Sequence, residues 1–508
     1  MPPSTDPRAL LERAVAQHRA GDLDGAATLY RNVLAHAPRD ADAQHLLGVL
    51  LHQQGDSAGA LTLIEQARAA RPRNPEIAYN LGRVCLALND WPMTVEANRA
   101  ALALKPDMGA AACNLGIALV HEGRAAEGAA AIRDGIAHGA DNAAGWSALG
   151  LALHHQAQDD EALGAWETAL ARDPLHAEAR FNLATAYLRR QDFTRGWSLF
   201  AARAESDRAS FESGGAIPAN IPRWRGEPLA DKSVLVWAEQ GLGDQILFAS
   251  LLPDLKVGAL TFACAPRLVP LFARALPAAT VLPQDGTLET VLARTRPDVV
   301  VPLGDLGGLL RPQIQDFSGA RAFLQADPVR IAQLRARYRG WAAGRPLVGL
   351  SWHSHRASFG GVKSIPLPAW ARVLADLPAA FVSLQYGETD GDVAAAAQAG
   401  LAVHRDPAVD ATHDLDGLAA QIGAMDLVLT VSNTTAHLAG GLGVPTWTLV
   451  PRGGGSLWYW FQPAATRQQN PWYPSLRVHH QSRPGDWADL LQRVKVDLRE
   501  FCAERFDA

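Results

Sequence analysis

Two short segments of the chain combine residue types that could transfer a chemical group. In the first, a carboxylate follows two glycines at the predicted start of a helix, in the segment Gly241 to Asp244. The dipole of a helix keeps an aspartate near its N-terminus ionised, and an ionised carboxylate can take a proton as a general base. Asp244 is therefore the candidate catalytic base; the alternative is an aspartate that only caps its helix. A nucleotide site is not predicted in this loop, because Ile246 replaces the third glycine of the dinucleotide fingerprint.

The second segment, residues 432–437, follows a predicted strand and precedes a helix that contains Gly440 and Gly441. Hydroxyl groups and N–H groups at a helix N-terminus form a site for anions. We predict that a phosphate binds here, and an ordinary Ser/Thr helix cap is the alternative. The polar residues concerned are Ser432, Asn433, Thr434, Thr435 and His437. Lys363 would add a cation to the same phosphate, unless it is a solvated surface lysine.

Other polar and aromatic residues are predicted to lie close to these two segments without holding a metal. His353 and His355 follow a predicted strand, and no third ligand stands at a metal-binding spacing from them. Arg452 begins a glycine-rich loop that continues into the aromatic run at residues 458–461. This loop either closes over a base or sugar or packs the seam between domains. We expect no metal and no cofactor.

These segments need a scaffold that brings strand ends together. In the second half of the chain, β-branched runs alternate with helical segments, which indicates parallel sheets. The pattern divides into two α/β units, residues 231–343 and residues 344–508. Ligands bind beyond the carboxyl ends of the strands in such sheets. A cleft between the two units is therefore predicted to hold the site.

The first two-fifths of the chain repeat with a period of 34 residues. Leu-Gly or Leu-Ala pairs recur at that spacing, beginning at Leu47, Leu81, Leu115, Leu149 and Leu183. A fixed period of this length is typical of helix-turn-helix repeats that stack side by side. Prolines in register are expected to end the second helix of a unit, at Pro38, Pro72, Pro106 and Pro174. We predict an array of about six repeats over residues 1–205, followed by a linker at residues 206–230.

A row of asparagines precedes three of these pairs, at Asn80, Asn114 and Asn182. A repeat array has an extended concave face that usually holds a peptide, and an amide side chain both donates to and accepts from a peptide backbone. We predict that these asparagines bind an acceptor polypeptide. The alternative is hydrogen bonding between neighbouring turns of the array, and Leu46 and Ala148 interrupt the row.

Composition excludes some classes of partner. The net charge of −5 gives no electrostatic reason to expect nucleic acid. The polar N-terminus lacks the apolar core of a secretory signal, and no apolar stretch is long enough to span a bilayer. We therefore expect a cytoplasmic protein without a membrane span.

Several motifs occur in one order along the chain, and together they resemble a known family. They are Trp237–Gln245 (WAEQGLGDQ), Lys363–Leu367 (KSIPL), Ser383–Gly387 (SLQYG), Ser432–Pro445 (SNTTAHLAGGLGVP) and Pro471–Ser475 (PWYPS). The chain resembles bacterial tetratricopeptide-repeat glycosyltransferases, whose catalytic half has the GT-B fold and is similar to the heptosyltransferases; the array itself resembles that of the O-GlcNAc transferases. The resemblance implies an α-helical superhelix followed by two Rossmann-like domains. Residues 231–343 would form the acceptor side, and residues 344–508 the nucleotide-sugar side with a closing C-terminal helix.

The resemblance also implies roles for single residues. Asp244 matches the aspartate that deprotonates the acceptor, and Lys363 matches a basic residue that neutralises the donor phosphate. Thr434, Thr435 and His437 match the donor-phosphate segment. Ser432 departs from the family, because many relatives have an aspartate there. We expect the donor base and sugar to contact further residues of these motifs and loops, namely Gly243, Gln245, His353, Gln385, Tyr386, Arg452 and Trp458.

The expected function is protein O-glycosylation by inverting, metal-independent transfer from a nucleotide sugar. The acceptor would be a Ser or Thr of a protein held by the array. Similar fused proteins suggest flagellin as that partner, modified with a nonulosonic acid. Two alternatives stay open: an enzyme that acts on lipopolysaccharide or another glycan, and a repeat scaffold whose transferase half is inactive.

Overall fold

The computed structural model describes residues 6–204, 222–355, 360–462 and 470–506. The chain divides into two units, one that ends at Ala179 and one that begins at Arg180. Within the described residues, all strands belong to the second unit.

The first unit is built from helices that pack in consecutive pairs. They are α1 (Pro7–Arg19), α2 (Leu23–His36), α3 (Ala41–Gln53), α4 (Ser57–Ala70), α5 (Pro75–Ala87), α6 (Trp91–Leu104), α7 (Gly109–His121), α8 (Ala125–Ala137), α9 (Ala143–His155) and α10 (Asp159–Arg172). Four of the second helices end two residues before the prolines at positions 38, 72, 106 and 174, as predicted. Helix α11 (Ala177–Arg189) crosses the boundary between the units, and α12 (Phe193–Phe200) belongs to the second.

Close contact between paired helices explains the repeated Leu-Gly positions. A Cβ atom on Gly48 of α3 would lie 2.5 Å from Ile64 Cγ1 of α4. A Cβ atom on Gly116 of α7 would lie 2.6 Å from the carbonyl oxygen of Gly128 in α8. Real side chains do not pack at these distances, so the period of the sequence marks where the two helices of a repeat touch.

The second unit contains two sheets in which every neighbouring pair of strands is parallel. The first sheet has the order β3-β2-β1-β4 and the second has the order β10-β9-β8-β5-β6-β7. The strands are β1 (Leu229–Trp237), β2 (Val257–Cys264), β3 (Thr280–Pro283), β4 (Val299–Pro302), β5 (Leu347–Ser351), β6 (Ala380–Ser383), β7 (Val403–His404), β8 (Leu427–Val431), β9 (Thr446–Val450) and β10 (Leu476–His480). The central strands β5 and β8 are buried throughout, as expected for a sheet covered on both faces.

Helices separate these strands, as the alternation in the sequence predicts. They are α13 (Leu242–Ala249), α14 (Val269–Ala275), α15 (Leu288–Thr295), α16 (Asp305–Leu310), α17 (Pro328–Ala342), α18 (Gly360–Lys363), α19 (Leu367–Leu374), α20 (Asp390–Gln398), α21 (Leu415–Gly423), α22 (Thr434–Leu442) and α23 (Trp487–Phe506). The predicted fold is confirmed in two respects, a helical repeat array and an α/β region with parallel sheets.

The last repeat helix packs into the core of the second unit. On α12, Phe193 lies 5.0 Å from Phe317 and Trp197 lies 5.4 Å from Trp458, measured between ring centroids. Aromatic pairs at these distances contribute about 0.5–1.5 kcal/mol each beyond the area they bury. The helical array therefore does not end as a separate body at residue 205; its last helix is part of the α/β core.

Most of the predicted linker, residues 206–230, lies outside the described residues. Its end is wrong by two residues, because β1 already begins at Leu229, which is buried and pairs with Val257 of β2. Among the described residues, no helix is both long and apolar enough to cross a bilayer.

Candidate functional site

A cleft of about 290 Å³ lies between the two sheets, at the carboxyl ends of their strands. The loops after β1 and β2 line one wall, and the loops after β5, β6, β8 and β9 line the other. The first wall includes Gly241, Leu242, Gly243, Asp244 and Arg267. The second wall includes Lys363, Tyr386, Asn433, Thr434, His437 and Tyr459. Polar residues that are far apart in the sequence thus meet in one cavity.

Asp244 lies in the first turn of α13, where it lines the cleft. The chain turns after β1 at Gln240, whose φ of 71° is in the left-handed region, and Gly241 then takes the N-cap position. Asp244 therefore does not hold the position of a simple cap. Burial, followed by the negative charge of Asp244, raises the pKa of Tyr473 well above its ordinary value. The charge of Asp244 thus acts on the phenol of Tyr473, which is buried outside the cleft lining.

An ion cluster fixes the loop that leads to Asp244. Arg203 is 3% exposed and donates from Nε to Glu239 Oε1 at 2.9 Å and from Nη2 to Asp305 Oδ1 at 2.6 Å. Glu239 Oε1 also accepts the backbone N–H of Gly304 at 3.1 Å. Two carboxylates accept from one buried guanidinium, and the N–H of Gly304 donates to one of them. A buried charge is tolerated when it is paired and hydrogen-bonded in this way.

The segment from residue 432 to residue 437 turns from β8 into α22. Asn433 is the N-cap: its Oδ1 accepts the N–H of Thr435 at 3.0 Å, and its Nδ2 donates to Ser351 Oγ at 2.8 Å. Ser432 lines the cleft and its Oγ accepts the indole N–H of Trp460 at 2.6 Å. Thr435 is fully buried, and its hydroxyl faces Ser351 of β5 rather than the cleft lining. Of the two threonines, Thr434 is the one that lines the cleft.

Lys363 and His437 stand together in the second wall. Both are nearly inaccessible, with 3% and 2% of their surface exposed. Burial, followed by the positive charge of Lys363, lowers the pKa of His437 to about 3. His437 is therefore neutral at physiological pH, and Lys363 is the cation of this wall.

Two glutamines that were predicted to contact the sugar instead hold the backbone. Gln245 accepts the N–H of Ala265 at 3.0 Å and donates to the carbonyl of Gln240 at 3.2 Å. Gln385 accepts the N–H groups of Trp352 and His353 at 2.9 and 2.8 Å. Both side chains are buried. They shape the loops beside the cleft because a buried amide must satisfy its hydrogen-bonding groups with whatever is nearest.

Tyr386 lines the cleft, whereas His353 lies beside it. Burial, and next the neighbouring His355, lowers the pKa of His353. The two imidazole rings are 4.5 Å apart, and His355 Nε2 is 3.2 Å from the carbonyl oxygen of Tyr386. The histidines thus support the loop that carries Tyr386.

Arg452 and Trp458 also lie outside the cleft lining. Arg452 donates to the carbonyl of Ser482 at 3.2 Å. Trp458 is buried, 5.8 Å from Phe200 and 6.0 Å from Trp472 between ring centroids. Of the two uses predicted for the aromatic loop, Trp458 serves the packing one, and Tyr459 is the residue that reaches the cleft.

The asparagines of the repeats have different surroundings. In the first unit, Asn80 Nδ2 lies 2.9 Å from His45 Nε2, and its Oδ1 accepts from Arg83 at 3.3 Å. Asn114 Nδ2 is buried without a hydrogen-bond acceptor among the described residues. In the second unit, Asn182 is 5% exposed. Asn80 therefore fits the alternative of hydrogen bonds within the array. The amide N–H groups of Asn114 instead make no hydrogen bond within the described residues.

Two residues of this region had no predicted role: Arg267, which lines the cleft, and Tyr473, which lies outside the lining. Tyr459, which lines the cleft, was predicted only as part of the aromatic loop. Arg267 donates to the carbonyl of Thr412 at 2.6 Å and so joins the two walls. Tyr459 belongs to the aromatic run, and Tyr473 belongs to the PWYPS motif, to which no role was given. The motifs could have directed attention to the two tyrosines, but Arg267 is a lone arginine after a strand and carries no local signal.

The described ranges hold no group of three or more His, Cys, Asp or Glu side chains that could share a metal ion. The four cysteines are buried and form no disulfide. In the lining of the cleft, Lys363 lies on the wall opposite Asp244, and Arg267 is a basic side chain on the same wall as Asp244.

Comparison with known proteins identifies the repeats. The tetratricopeptide repeat model matches residues 11–72, 53–109 and 156–210. Protein FlbA of Caulobacter vibrioides is 33% identical over 370 residues, which are 67% of this chain and 60% of FlbA. The chain thus spans about three-fifths of the length of this relative.

Two solved structures are similar to about a third of the chain. The crystal structure of MamA shares 21% identity and a TM-score of 0.30, over 34% of this chain and 94% of MamA. The crystal structure of YrrB, a TPR protein with an unusual peptide-binding site, shares 20% identity and a TM-score of 0.31, over 34% of this chain and 90% of YrrB. This chain therefore contains tetratricopeptide repeats and is similar to FlbA.

Proposed function

We propose that the second unit is a GT-B glycosyltransferase that moves a sugar from a nucleotide sugar to a Ser or Thr hydroxyl of a protein. The observation that carries the proposal is the opposed chemistry of the two walls of the cleft. Asp244 stands on one wall, and Lys363 and the N-terminus of α22 stand on the other. An inverting transfer needs a base for the acceptor and positive charge for the departing phosphate.

In the proposed reaction, Asp244 takes the proton of the acceptor hydroxyl while the oxygen attacks the anomeric carbon. The bond between that carbon and the phosphate oxygen breaks, and the phosphate keeps the electron pair. The ammonium group of Lys363 and the N-terminal end of α22 stabilise the charge that develops there. A single displacement inverts the configuration at the anomeric carbon.

The donor phosphate would bind at Thr434 and Lys363, and Asn433 would hold the turn in shape. Lys363 is a buried lysine that lines a cavity, and such a lysine suits an anionic ligand because its charge is little screened by water. The buried hydroxyl of Thr435 supports the turn from behind.

The acceptor would be a polypeptide bound by the repeats, because stacked helix pairs present an extended surface of the kind that holds peptides. The resemblance of the motifs to fused glycosyltransferases suggests flagellin as the acceptor and a nonulosonic acid as the sugar. Arg203 supports a link between polypeptide binding and sugar transfer, because it follows the last repeat helix and contacts the loop that leads to Asp244.

The donor can be found by thermal unfolding of the full chain with CMP-, UDP-, GDP- and ADP-sugars. One nucleotide class is expected to raise the melting temperature, because ligand that binds only the folded state stabilises it. Stabilisation by none of the four classes would favour the inactive scaffold. A glycan or lipopolysaccharide product in place of a modified protein would favour the second alternative.

The base is tested with Asp244→Asn, which keeps the shape of the side chain and removes its charge. Turnover is expected to fall by about 100- to 10,000-fold, the usual contribution of a positioned base, with the nucleotide-induced melting shift retained. Asp489→Asn is the matched control, because Asp489 also lies in the first turn of a helix but not in the cleft lining. Near-normal turnover of Asp244→Asn would end this assignment.

A further inference from the structure

His437, in the second wall of the cleft, forms a buried pair with Tyr473, which lies outside the cleft lining. The phenol oxygen of Tyr473 lies 3.1 Å from His437 Nδ1, and the tyrosine is wholly buried. Gly440, one turn after His437 on α22, makes room for the tyrosine: a Cβ atom there would lie 2.6 Å from Tyr473 Cγ. The geometry of the pair is therefore set by the packing of α22 against the segment that carries Tyr473.

The direction of this hydrogen bond follows from the surroundings of the hydroxyl. Within the described part of the chain, His437 Nδ1 is the one hydrogen-bond partner of the Tyr473 oxygen. A buried hydroxyl that kept its hydrogen away from this acceptor would leave a polar group unsatisfied, at a substantial cost in stability. Tyr473 therefore donates and His437 Nδ1 accepts.

A neutral imidazole carries one N–H group, so a His437 that accepts at Nδ1 carries its hydrogen on Nε2. The Cδ2–Nε2 edge of the ring faces α13, where Cδ2 would lie 2.8 Å and Nε2 3.0 Å from a Cβ atom on Gly243. Because Gly243 has no side chain, none covers this edge of the ring there, and both residues line the cavity.

The groups around the ring keep it neutral. Lys363, at the end of α18, places its charge near His437. The rings of Tyr459 and Trp460, from the loop after β9, have centroids 5.0 Å from that of His437, in T-shaped and tilted arrangements. Asp244 faces the pair from α13 and acts on Tyr473, whose phenol stays protonated because burial and this carboxylate both raise its pKa. A second positive charge beside Lys363 in a buried wall would be repelled, so a neutral donor is the form that this site can hold.

We propose that Tyr473 is a positioning residue that holds His437 in the Nε2–H form, and that this N–H is a neutral hydrogen-bond donor to the donor-substrate phosphate. The nature of the anion rests on the proposed function, whereas the position of the hydrogen is a property of the protein alone. The pair would thus add a directional contact to the phosphate beside the less directional charge of Lys363.

The tautomer is tested by nuclear magnetic resonance of the full chain labelled with ¹⁵N-histidine, with the His437 signals assigned by their loss in His437→Gln. In the wild type, Nε2 is expected to carry the hydrogen and Nδ1 to be unprotonated, without change between pH 6 and pH 8. In Tyr473→Phe, which removes only the hydroxyl, the signals are expected to move toward a mixture of the two tautomers. Tyr338→Phe is the matched control: Tyr338 is also buried, but it donates to Asp406 at 2.9 Å, and its variant should leave the His437 signals in place.

Contact with an anion is tested with inorganic pyrophosphate as the probe. Its addition is expected to shift the Nε2–H signal of His437, and Tyr473→Phe is expected to bind it about two- to tenfold more weakly, the worth of one ordinary hydrogen bond. His437→Gln places an amide donor near the Nε2 position without needing Tyr473. Adding Tyr473→Phe to His437→Gln should therefore weaken binding no further, because the tyrosine acts through the histidine.

Three results would overturn the inference. They are a hydrogen on Nδ1 in the wild type, a doubly protonated His437 at neutral pH, and a Tyr473→Phe protein with unchanged tautomer and unchanged pyrophosphate affinity. A His437 signal that pyrophosphate leaves in place would exclude it as the anion donor. Failure of the proposed function would be seen differently, as a protein that gives the expected tautomer and pyrophosphate results but transfers no sugar.

Discussion

Arg203 donates its guanidinium Nε–H to the carboxylate of Glu239 over 2.9 Å, with 4% and 11% of the two side chains exposed. Arg203 belongs to the short turn at Ala201–Ala204 that follows the last repeat helix, and Glu239 lies in the loop between β1 and the helix of Asp244. The end of the repeats and the approach to the candidate base are thus held by one buried ion pair.

Replacing Arg203 with methionine should strongly destabilise the second unit. Removing one partner of a buried pair leaves Glu239 and Asp305 as uncompensated charges, which typically costs about 3–5 kcal/mol. The free energy of unfolding by urea measures the effect. Arg405→Met is the control, because the Arg405–Asp390 pair is exposed and such pairs contribute about 1 kcal/mol or less. Equal stability losses in the two variants would show that the buried pair contributes no more to the free energy of unfolding than the exposed pair.

Alanine at Gly243 should disturb the cleft by displacing His437. Its Cβ would lie 2.8 Å from His437 Cδ2, and that ring is fixed by Tyr473 and cannot turn away freely. Overpacking of this kind costs about 1–3 kcal/mol. Thermal unfolding of Gly243→Ala should show the loss, together with weaker binding of pyrophosphate.

The control for this change is Gly340→Ala. Gly340 also lies within a helix, α17, but a Cβ atom there meets nothing within 4 Å. The added methyl group should stabilise that helix by about 0.5–1 kcal/mol, because alanine loses less backbone freedom than glycine. If both variants were stabilised, the close approach of Gly243 to His437 would be contradicted.

The general architecture could be predicted because its signals are local. The 34-residue period comes from contacts between helices that are neighbours in the chain, such as the approach of Gly48 to Ile64. The strands likewise follow from β-branched runs, and the start of the helix that carries Asp244 follows from glycines near the turn. The boundary at residue 205 could not be predicted, since it depends on which core the aromatic side chains of α12 enter.

The details of the candidate site depended on partners that are distant in the sequence. Gln245 and Gln385 have the polar character of ligand contacts, but the nearest backbone groups use their amides. Tyr473 and Arg267 had no predicted role, because each acts on a residue of another segment, His437 and Thr412. Residue type indicates which contacts a side chain can make, and the fold decides which neighbouring group it contacts.

Two buried histidines should make the second unit sensitive to acid. Burial lowers the pKa of both His437 and His479 to about 3. Below about pH 6.5 the unfolded chain gains protons on these residues that the folded chain takes up only near pH 3, so stability is full above pH 6.5 and falls with decreasing pH.

At pH 5.5 each of these histidines should lower the free energy of unfolding by about 1.4 kcal/mol relative to pH 7.5. Urea unfolding at the two pH values measures the difference. His437→Gln should reduce by about half the pH-dependent loss of unfolding free energy that the two histidines cause together. A wild-type protein as stable at pH 5.5 as at pH 7.5 would contradict this account.

Asn114 should contribute little to the stability of the array, and a bound polypeptide could use its amide only if that buried nitrogen becomes accessible. Its amide nitrogen is buried without an acceptor in the described part of the chain, so Asn114→Ala removes an unsatisfied donor and should leave the free energy of unfolding within about 1 kcal/mol of the wild type, or raise it. Asn80→Ala should instead cost about 1 kcal/mol, because it breaks the contacts with His45 and Arg83. The two variants are compared by thermal unfolding of the full chain and by the yield of polypeptide that copurifies with it. If Asn114 donates to a bound backbone, its variant keeps its stability and loses the polypeptide; a variant that loses stability and keeps the polypeptide would assign Asn114 to the array alone.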